Sequence, residues 1–138
     1  EWLVKPKQDL HNPNLWTPGV KYGVKEGSFM HQTELFGPVL GVMRADNLDH
    51  AIALANGTPY GLTSGLQSLD DREKSIWMEK IEAGNCYINR GITGAIVRRQ
   101  PFGGTKGSSF GNGAKAGGPN YIMQFAHPRE VALPQEKS

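Results

Sequence analysis

Val39-Leu40-Gly41-Val42-Met43-Arg44 is a mostly apolar run without the strict alternation of a half-buried strand. Runs of this kind are typical of strands that are buried on both faces, as in parallel sheets. Asp46 or Asn47, which come next, can cap a helix by accepting backbone N–H bonds. Apolar residues then recur at the spacing of one helical face: Leu48, Ala51, Ile52 and Ala55. The segment predicts a buried strand and a helix that ends at Asn56-Gly57, where both residues tolerate the left-handed conformation.

The same alternation of strand and helix continues towards the C-terminus. Residues 62–67 are predicted to form a strand, and Ser68-Leu69-Asp70-Asp71 resembles a capping box that starts a second helix. The predicted inward face of that helix is Ile76, Trp77, Lys80 and Ile81. Ala83-Gly84 ends the helix, and residues 85–89 form a third strand. This order predicts an α/β fold with a parallel sheet and flanking helices.

The outer segments of the chain are less regular. Residues 1–5 are a strand candidate, whereas residues 10–27 form an irregular insertion rich in proline and glycine, with a short strand near 20–24. Residues 90–120 are glycine-rich and have no period, so we expect this loop to be disordered or to pack on protein or ligand outside the chain. Residues 121–126 are predicted to be a strand. We therefore divide the chain into residues 1–120 and a terminal strand and tail, 121–138.

Composition excludes several classes of protein. The chain has 138 residues, with 15 Lys+Arg against 13 Asp+Glu and a net charge of +2, which is too weak to argue for a nucleic-acid or membrane partner. Its one cysteine excludes an intrachain disulfide and a Cys-rich zinc site, and suits a reducing, cytoplasmic compartment. No apolar run reaches the roughly 18 residues of a membrane span. Because the chain begins with Glu1 and not Met, we expect it to be part of a longer protein.

Most residues with reactive or ligand-binding chemistry have an ordinary interpretation. Cys86 is the one candidate thiol nucleophile, but no histidine lies near it in sequence, so we interpret it as an inert packing residue. The four histidines lack metal-ligand spacing, which predicts no metal site. Gly111-Asn112-Gly113-Ala114-Lys115-Ala116 matches the letters of a dinucleotide fingerprint without the strand that should precede it. Arg98-Arg99 begins a basic segment that is either solvated or in contact with an anionic ligand or adjoining chain.

Glu34-Leu35-Phe36-Gly37-Pro38 differs from these candidates because it comes directly before a predicted parallel strand. Loops at the ends of such strands are where ligands bind in open α/β sheets. A carboxylate can accept hydrogen bonds from the hydroxyl pair of a ribose, and an aromatic ring can flank a flat heterocycle. An ordinary exposed glutamate and a core phenylalanine are the alternative.

Several motifs in order resemble the C-terminal part of the aldehyde dehydrogenase superfamily. The motifs are Glu34-Leu35-Phe36-Gly37-Pro38, Tyr60-Gly61-Leu62-Thr63, Gly84-Asn85, Ile88-Asn89 and Gln100-Pro101-Phe102-Gly103-Gly104. Longer stretches resemble the Δ1-pyrroline-5-carboxylate dehydrogenase family, above all the dehydrogenase module of bifunctional bacterial proline utilisation enzymes. These stretches are Tyr87-Ile88-Asn89-Arg90, Thr93-Gly94-Ala95-Ile96-Val97, Arg99-Gln100-Pro101-Phe102-Gly103-Gly104 and Lys115-Ala116-Gly117-Gly118-Pro119-Asn120-Tyr121.

The resemblance implies an NAD-dependent enzyme of proline catabolism that oxidises glutamate semialdehyde to glutamate. It implies that Glu34 binds the nicotinamide ribose and that Phe36 packs beside it. Gly94 and Ala95 would offer backbone N–H groups to the substrate carboxylate, and Phe102 would pack against the aliphatic stem of the substrate. FAD is implied only if a proline dehydrogenase domain precedes this part. Residues 121–133 would serve as a homo-oligomerisation strand.

Part of the family's machinery is missing from this sequence. The nucleophilic cysteine, the general-base glutamate and the dinucleotide-binding half all lie upstream of the Glu34 motif in the family. We therefore expect no catalytic residue in residues 1–138, no activity of the chain alone, and a partner in the missing N-terminal part. An aldehyde dehydrogenase of another substrate class and a non-catalytic assembly domain remain the alternatives.

Overall fold

The computed structural model describes residues 1–110 and 113–134. Its strands are β1 (Trp2–Val4), β2 (Gly19–Tyr22), β3 (Val39–Val42), β4 (Tyr60–Gly61), β5 (Thr63–Leu66), β6 (Asn85–Ile88) and β7 (Thr105–Lys106). Its helices are α1 (Phe29–Gln32), α2 (Leu48–Asn56), α3 (Asp71–Lys80) and a 3-10 helix, Ile122–Phe125. The predicted succession of strand, helix, strand, helix and strand between residues 39 and 88 is confirmed. Within the described residues, no helix has the length and apolar character needed to cross a membrane.

Parallel pairing joins the predicted strands, as expected for an α/β fold. β2 pairs in parallel with β3, and β1 adds to the other side of β2 in antiparallel orientation. β5 pairs in parallel with β6, and β4 pairs with the distant β7 in antiparallel orientation. The described strands thus form three separate small sheets rather than one continuous sheet.

The two long helices begin where their caps predict, but their buried faces differ from the prediction. Asn47 caps α2 by accepting from the backbone N–H of His50 at 2.9 Å. Ile52 and Leu54 are the buried residues of α2, whereas Ala51 and Ala55 of the predicted face are exposed. Positions two apart lie on opposite sides of a helix. α2 is therefore covered from two sides, and a prediction built on one apolar face was wrong.

α2 ends at Asn56-Gly57 as predicted, and Trp77 of the predicted face of α3 is buried, but other details differ from the prediction. Gly57 ends α2 at φ −72°, without the predicted left-handed conformation. Asp70 caps α3 by accepting from the backbone N–H of Arg72 at 2.8 Å. Trp77 is the only buried residue of α3, since Ile76 and Lys80 are exposed. α3 therefore contributes one large side chain to a small core, completed by Val24, Ile52, Leu54 and Tyr87.

The glycine-rich segment packs on its own chain, which corrects the expectation of disorder or of packing only on an outside partner. β7 pairs with β4, and Phe102 forms a two-way backbone bridge with Ala116. A Cβ on Gly84 would overlap the carbonyl oxygen of Gly103, and a Cβ on Gly104 would overlap that of Ser108. Glycine is required at these positions because backbone approaches backbone there.

The terminal strand predicted for residues 121–126 is wrong for the described chain, which forms the 3-10 helix Ile122–Phe125 there. A strand needs a neighbour that completes its ladder, and the described residues offer none beside it. A local turn replaces the ladder, with the Met123 N–H donating to the Asn120 carbonyl at 3.2 Å. The tail residues 135–138, and Gly111 and Asn112 of the fingerprint-like stretch, lie outside the described residues.

Candidate functional site

Glu34 and Phe36 project from the loop that connects α1 to β3. Glu34 lines an open cleft together with Thr63 and Ser64 of β5. Phe36 adopts φ +50° and is 90% exposed. A left-handed conformation costs a non-glycine residue on the order of 1–3 kcal/mol, and such residues cluster at ligand sites. The loop therefore holds an exposed aromatic ring on a strained backbone position, two residues along the chain from a carboxylate.

Both ends of this loop are fixed. His31 contacts the carbonyl of Leu54 through Nε2 at 2.8 Å, and the Gln32 side chain donates to the carbonyl of Gly57 at 2.7 Å. On the other side, the carbonyl of Pro38 accepts from the N–H of Gly19 at 2.9 Å as β3 begins. Because α2 and β2 hold the two ends, the loop presents Glu34 and Phe36 from a rigid frame.

The Glu34 carboxylate has the chemistry of a hydrogen-bond acceptor for a hydroxyl pair. All the ion pairs in residues 1–110 and 113–134 use other carboxylates. The exposed ring of Phe36 offers a flat apolar surface beside it. In the described chain Phe36 is 90% exposed, so the alternative of a core phenylalanine is not found there. The predicted role of Glu34 and Phe36 in binding a cofactor stays a prediction.

Gly94 and Ala95 lie on an exposed turn after β6. Gly94 has φ +102°, a conformation that a side chain would strain. On one side the Arg90 guanidinium donates to the carbonyl of Thr93 at 3.4 Å. On the other, Ile96 and Gln100 exchange backbone hydrogen bonds of 3.2 and 2.7 Å. The turn is therefore exposed but bounded by contacts, as an anion-binding backbone requires.

Phe102 is half-buried, and a polar clamp holds the backbone on both sides of it. The Asn85 side chain, on a residue that is 6% exposed, donates to the carbonyl of Pro101 and accepts from the N–H of Gly103, both at 3.0 Å. Lys115 donates to the carbonyls of Gly84 and Gly103. Burial lowers the pKa of Lys115, and nearby Cys86 opposes this shift. The Asn85–Lys115 clamp thus fixes the backbone next to Phe102.

Asn85 and Lys115 were not predicted as part of the site. One sequence feature could have pointed to Asn85 as a site residue: it is a polar residue that starts a predicted strand directly after a glycine. No sequence feature pointed to Lys115, because the sequence showed only a basic residue in a glycine-rich loop. The Glu34 cleft is lined by α1, β4, β5 and Ser108 and does not include Gly94, Ala95 or Phe102. The described chain therefore presents a carboxylate cleft and a separate turn region.

Cys86 lies at the surface of the described chain, not in its interior as the packing interpretation held. Its thiol donates to the carbonyl of Ala83 at 3.4 Å. Partial burial raises the pKa of the Cys86 thiol, while the charge of Lys115 lowers it by less. The raised pKa disfavours the thiolate that a nucleophile needs. This agrees with an inert role for Cys86.

The model of one protein family, the aldehyde dehydrogenase family, matches residues 3–131. The chain belongs to the aldehyde dehydrogenase family. A relative in this family, 1-pyrroline-5-carboxylate dehydrogenase of Staphylococcus haemolyticus, is 41% identical over an alignment of 118 residues. The match covers 83% of this chain and 22% of that protein. The chain thus spans about a fifth of the length of the curated relatives that it matches.

Two solved structures of aldehyde dehydrogenase relatives share the fold of this chain. Proline utilization A from Corynebacterium freiburgense is 53% identical with a TM-score of 0.87, and the match covers 97% of this chain and 15% of that one. A 1-pyrroline-5-carboxylate dehydrogenase from Thermus with bound NAD is 39% identical with a TM-score of 0.80, over 86% of this chain and 23% of that one. The α/β fold is that of a portion of the aldehyde dehydrogenase family.

Proposed function

We propose that this chain is the C-terminal portion of an NAD-dependent dehydrogenase that oxidises L-glutamate γ-semialdehyde to glutamate in proline catabolism. The single observation that carries the proposal is the loop on which a carboxylate, Glu34, lies two residues from an exposed ring, Phe36, whose backbone has a left-handed φ. Relatives named 1-pyrroline-5-carboxylate dehydrogenase and proline utilization A support the choice of substrate. Bound NAD in the Thermus relative supports the choice of cofactor.

Glu34 and Phe36 supply the nicotinamide end of the cofactor site in this proposal. Glu34 accepts hydrogen bonds from the ribose hydroxyls, and Phe36 packs beside the ribose. Bound NAD would supply the acceptor for the hydride that leaves the substrate carbon. Orientation matters because hydride transfer requires a near-attack geometry. The fixed ends of the loop keep both side chains in place while the cofactor binds.

Gly94, Ala95 and Phe102 supply the substrate end of the site. The backbone N–H groups of the Gly94–Ala95 turn bind the substrate carboxylate, and the Phe102 ring packs against its aliphatic stem. The Asn85–Lys115 clamp keeps the backbone around Phe102 in position. This part of the enzyme therefore selects and orients substrate, while the reacting groups belong to another part of the protein.

The partners and surroundings of the chain follow from the same proposal. The missing N-terminal part of the protein completes the site, so residues 1–138 alone have no aldehyde dehydrogenase activity. Residues 121–133 mediate homo-oligomerisation once a partner sheet is available. FAD is involved only where a proline dehydrogenase domain belongs to the same protein. In this proposal no metal or nucleic acid takes part, and the protein has no membrane span and is cytoplasmic.

The experiment replaces Glu34 in the full-length protein that contains this chain. Glu34→Ala should weaken NAD binding or slow turnover of glutamate semialdehyde, because a hydrogen bond to a charged acceptor contributes roughly 1.5–3 kcal/mol. That energy corresponds to a loss of about 10- to 150-fold in kcat/KM. Glu26→Ala is the matched control, since Glu26 is also exposed and lies in the turn before α1.

Two results would contradict this assignment. Equal kinetics and equal NAD affinity for Glu34→Ala and Glu26→Ala would remove Glu34 from the cofactor site. A wild-type enzyme that prefers uncharged aldehydes would favour the second candidate, a dehydrogenase of another substrate class. The chain is also 39% identical to a structure of an aldehyde dehydrogenase from Burkholderia cenocepacia, and this similarity supports the second candidate.

A further inference from the structure

The backbone turns sharply at the end of β6. Asn89 follows the strand with φ +54°, and Asn89 also exchanges side-chain hydrogen bonds with Ser68. Its side chain accepts from the N–H of Ser68 at 2.9 Å and donates to the carbonyl of Ser68 at 2.8 Å. The Gln67 side chain donates to the carbonyl of Arg90 at 3.3 Å. Contacts with the segment after β5 therefore fix the direction in which Arg90 leaves the strand.

The turn brings the Arg90 side chain back over its own strand. The guanidinium carbon lies 5.5 Å from the ring centroid of Tyr87, within the range of a cation–π contact. Tyr87 is 2% exposed, so the ring is a fixed platform. The other end of the guanidinium donates to the carbonyl of Thr93 at 3.4 Å. Arg90 therefore bridges the core and the Thr93–Ala95 turn.

Arg90 lies next to Gly94 in particular. A Cβ placed on Gly94 would stand 3.4 Å from an Nη atom of Arg90. Arg90 is an exposed residue, and its guanidinium is a positively charged hydrogen-bond donor. An anion held by the N–H groups of Gly94 and Ala95 would thus be within a few ångströms of this charge. Backbone dipoles and a guanidinium together bind a carboxylate better than either alone.

We propose that Arg90 is a specificity-determining residue that selects aldehydes carrying a carboxylate. It acts by direct charge on the carboxylate and by holding the Thr93–Ala95 turn in its anion-binding path. This inference rests on the proposed function, since it assigns a new contact to the same substrate site. Arginine suits the role better than lysine, because its planar group stacks on Tyr87 while its N–H fork remains directed at the turn.

The test uses the full-length protein and two aldehydes that differ in their terminal group, which is a charged carboxylate in one and an uncharged methyl group in the other. 5-Oxopentanoate and pentanal have the same five-carbon chain, and only the first carries a carboxylate. Arg90→Gln removes the charge but keeps a hydrogen-bond donor, and Arg90→Lys keeps the charge without the fork. Arg99→Gln is the control, because it removes the same charge from an exposed site nine residues along the chain.

Arg90→Gln should lower kcat/KM for 5-oxopentanoate by roughly 3- to 10-fold, as expected for one partly exposed contact to a charged group. The loss should appear in KM, and pentanal should change by less than about twofold. Arg90→Lys should recover part of the loss, and Arg99→Gln should resemble wild type. Added salt should narrow the gap between wild type and Arg90→Gln, because salt screens exposed charges.

Failure of this inference differs from failure of the proposed function. If the wild-type enzyme oxidises glutamate semialdehyde and Arg90→Gln keeps the full preference for 5-oxopentanoate, Arg90 does not set specificity. An equal loss for both aldehydes would also overturn the inference, because it indicates damage to the turn without a role for charge. If wild type neither oxidises glutamate semialdehyde nor binds glutamate in calorimetry, the proposed function and this inference fall together.

Discussion

Replacing Asn85 with alanine should release the turn around Phe102. Within residues 1–110 and 113–134, Asn85 is the one residue whose side chain hydrogen-bonds to both neighbours of Phe102, donating to the Pro101 carbonyl and accepting from the Gly103 N–H, each at 3.0 Å. Alanine removes both contacts and fills neither position. The N–H of Gly103 then loses its only hydrogen-bond acceptor within the described residues. The turn should open more often without unfolding the rest of the chain.

The size of the effect follows from the two lost contacts. A typical intramolecular hydrogen bond contributes about 0.5–1.5 kcal/mol net, and a buried group left unsatisfied costs about 1–3 kcal/mol. Asn85 is 6% exposed, but Gly103 is only half-buried, so water can reach part of the opened turn. We therefore expect a loss of local stability of about 2 kcal/mol, which corresponds to about 30-fold faster amide exchange at Gly103.

Hydrogen exchange of the full-length protein, read at peptides that cover residues 99–106, measures this directly. Asn56→Ala is the control, because Asn56 also bridges two segments through its side chain, donating to the Lys80 carbonyl and accepting from the Glu82 N–H at 2.8 and 2.9 Å. It should leave exchange at Gly103 unchanged. Wild-type exchange at Gly103 in Asn85→Ala would refute the clamp, as would acceleration that is uniform over the protein.

Three further predictions concern glycine geometry and charge. Gly94→Val should cost carboxylate substrates roughly 1.5–3 kcal/mol in kcat/KM, because the residue at φ +102° would leave its path and its charge-assisted hydrogen bonds would be lost; an equal loss with pentanal would point to general damage. Gly84→Ala should lower the free energy of unfolding by about 1–3 kcal/mol, because the added Cβ would overlap the Gly103 carbonyl oxygen. Gly91→Ala is the control, since a Cβ there meets nothing within 4 Å. Denaturant titrations should show little effect of this second substitution. The Arg72 guanidinium holds the pKa of Asp70 below its ordinary value. The ionised carboxylate therefore stabilises the folded chain above the ordinary Asp pKa, and this stabilisation is lost as the pH falls through the lowered pKa. Asp70→Asn keeps the cap but should remove that dependence from acid-unfolding curves, and an unchanged acid limb would contradict the assignment.

The order of elements was predictable because it depends on local patterns. The strand within residues 39–44 and the cap at Asn47 depend on a few neighbouring residues, and both are found in the structure. The prediction that this strand is buried on both faces was wrong for the described chain, because none of residues 39–42 is buried and Leu40 is 58% exposed. The face of α2 was not predictable, because Ile52 and Leu54 are both buried although residues two apart lie on opposite sides of a helix. The terminal 3-10 helix was missed because strand formation depends on a partner and not only on the apolar character of residues 121–126.

The candidate site, too, could be predicted from the sequence only in part. The resemblance to a known family led to Glu34, Phe36, Gly94, Ala95 and Phe102, whose roles stay predictions. Arg90 was not predicted, because its position depends on the left-handed turn at Asn89 and on a ring in the preceding strand. Asn85 was missed because its partners lie 16 and 18 residues away. Contacts of this range depend on how the glycine-rich segment folds back, which no local pattern records.

The way residues 100–110 pack on the preceding part of the chain has a consequence for a nicked chain. Arg98 and Arg99 form an exposed pair, and trypsin cleaves after such residues. Across the cut, the Asn85 side chain stays bonded to the carbonyl of Pro101 and the N–H of Gly103, and the N–H of Gly107 stays bonded to the carbonyl of Pro59 at 2.9 Å. Lys106 adds an ion pair of 2.8 Å to Glu82. The two pieces would therefore migrate together in a native gel and separate only in denaturant, so backbone continuity at this point is dispensable for their association.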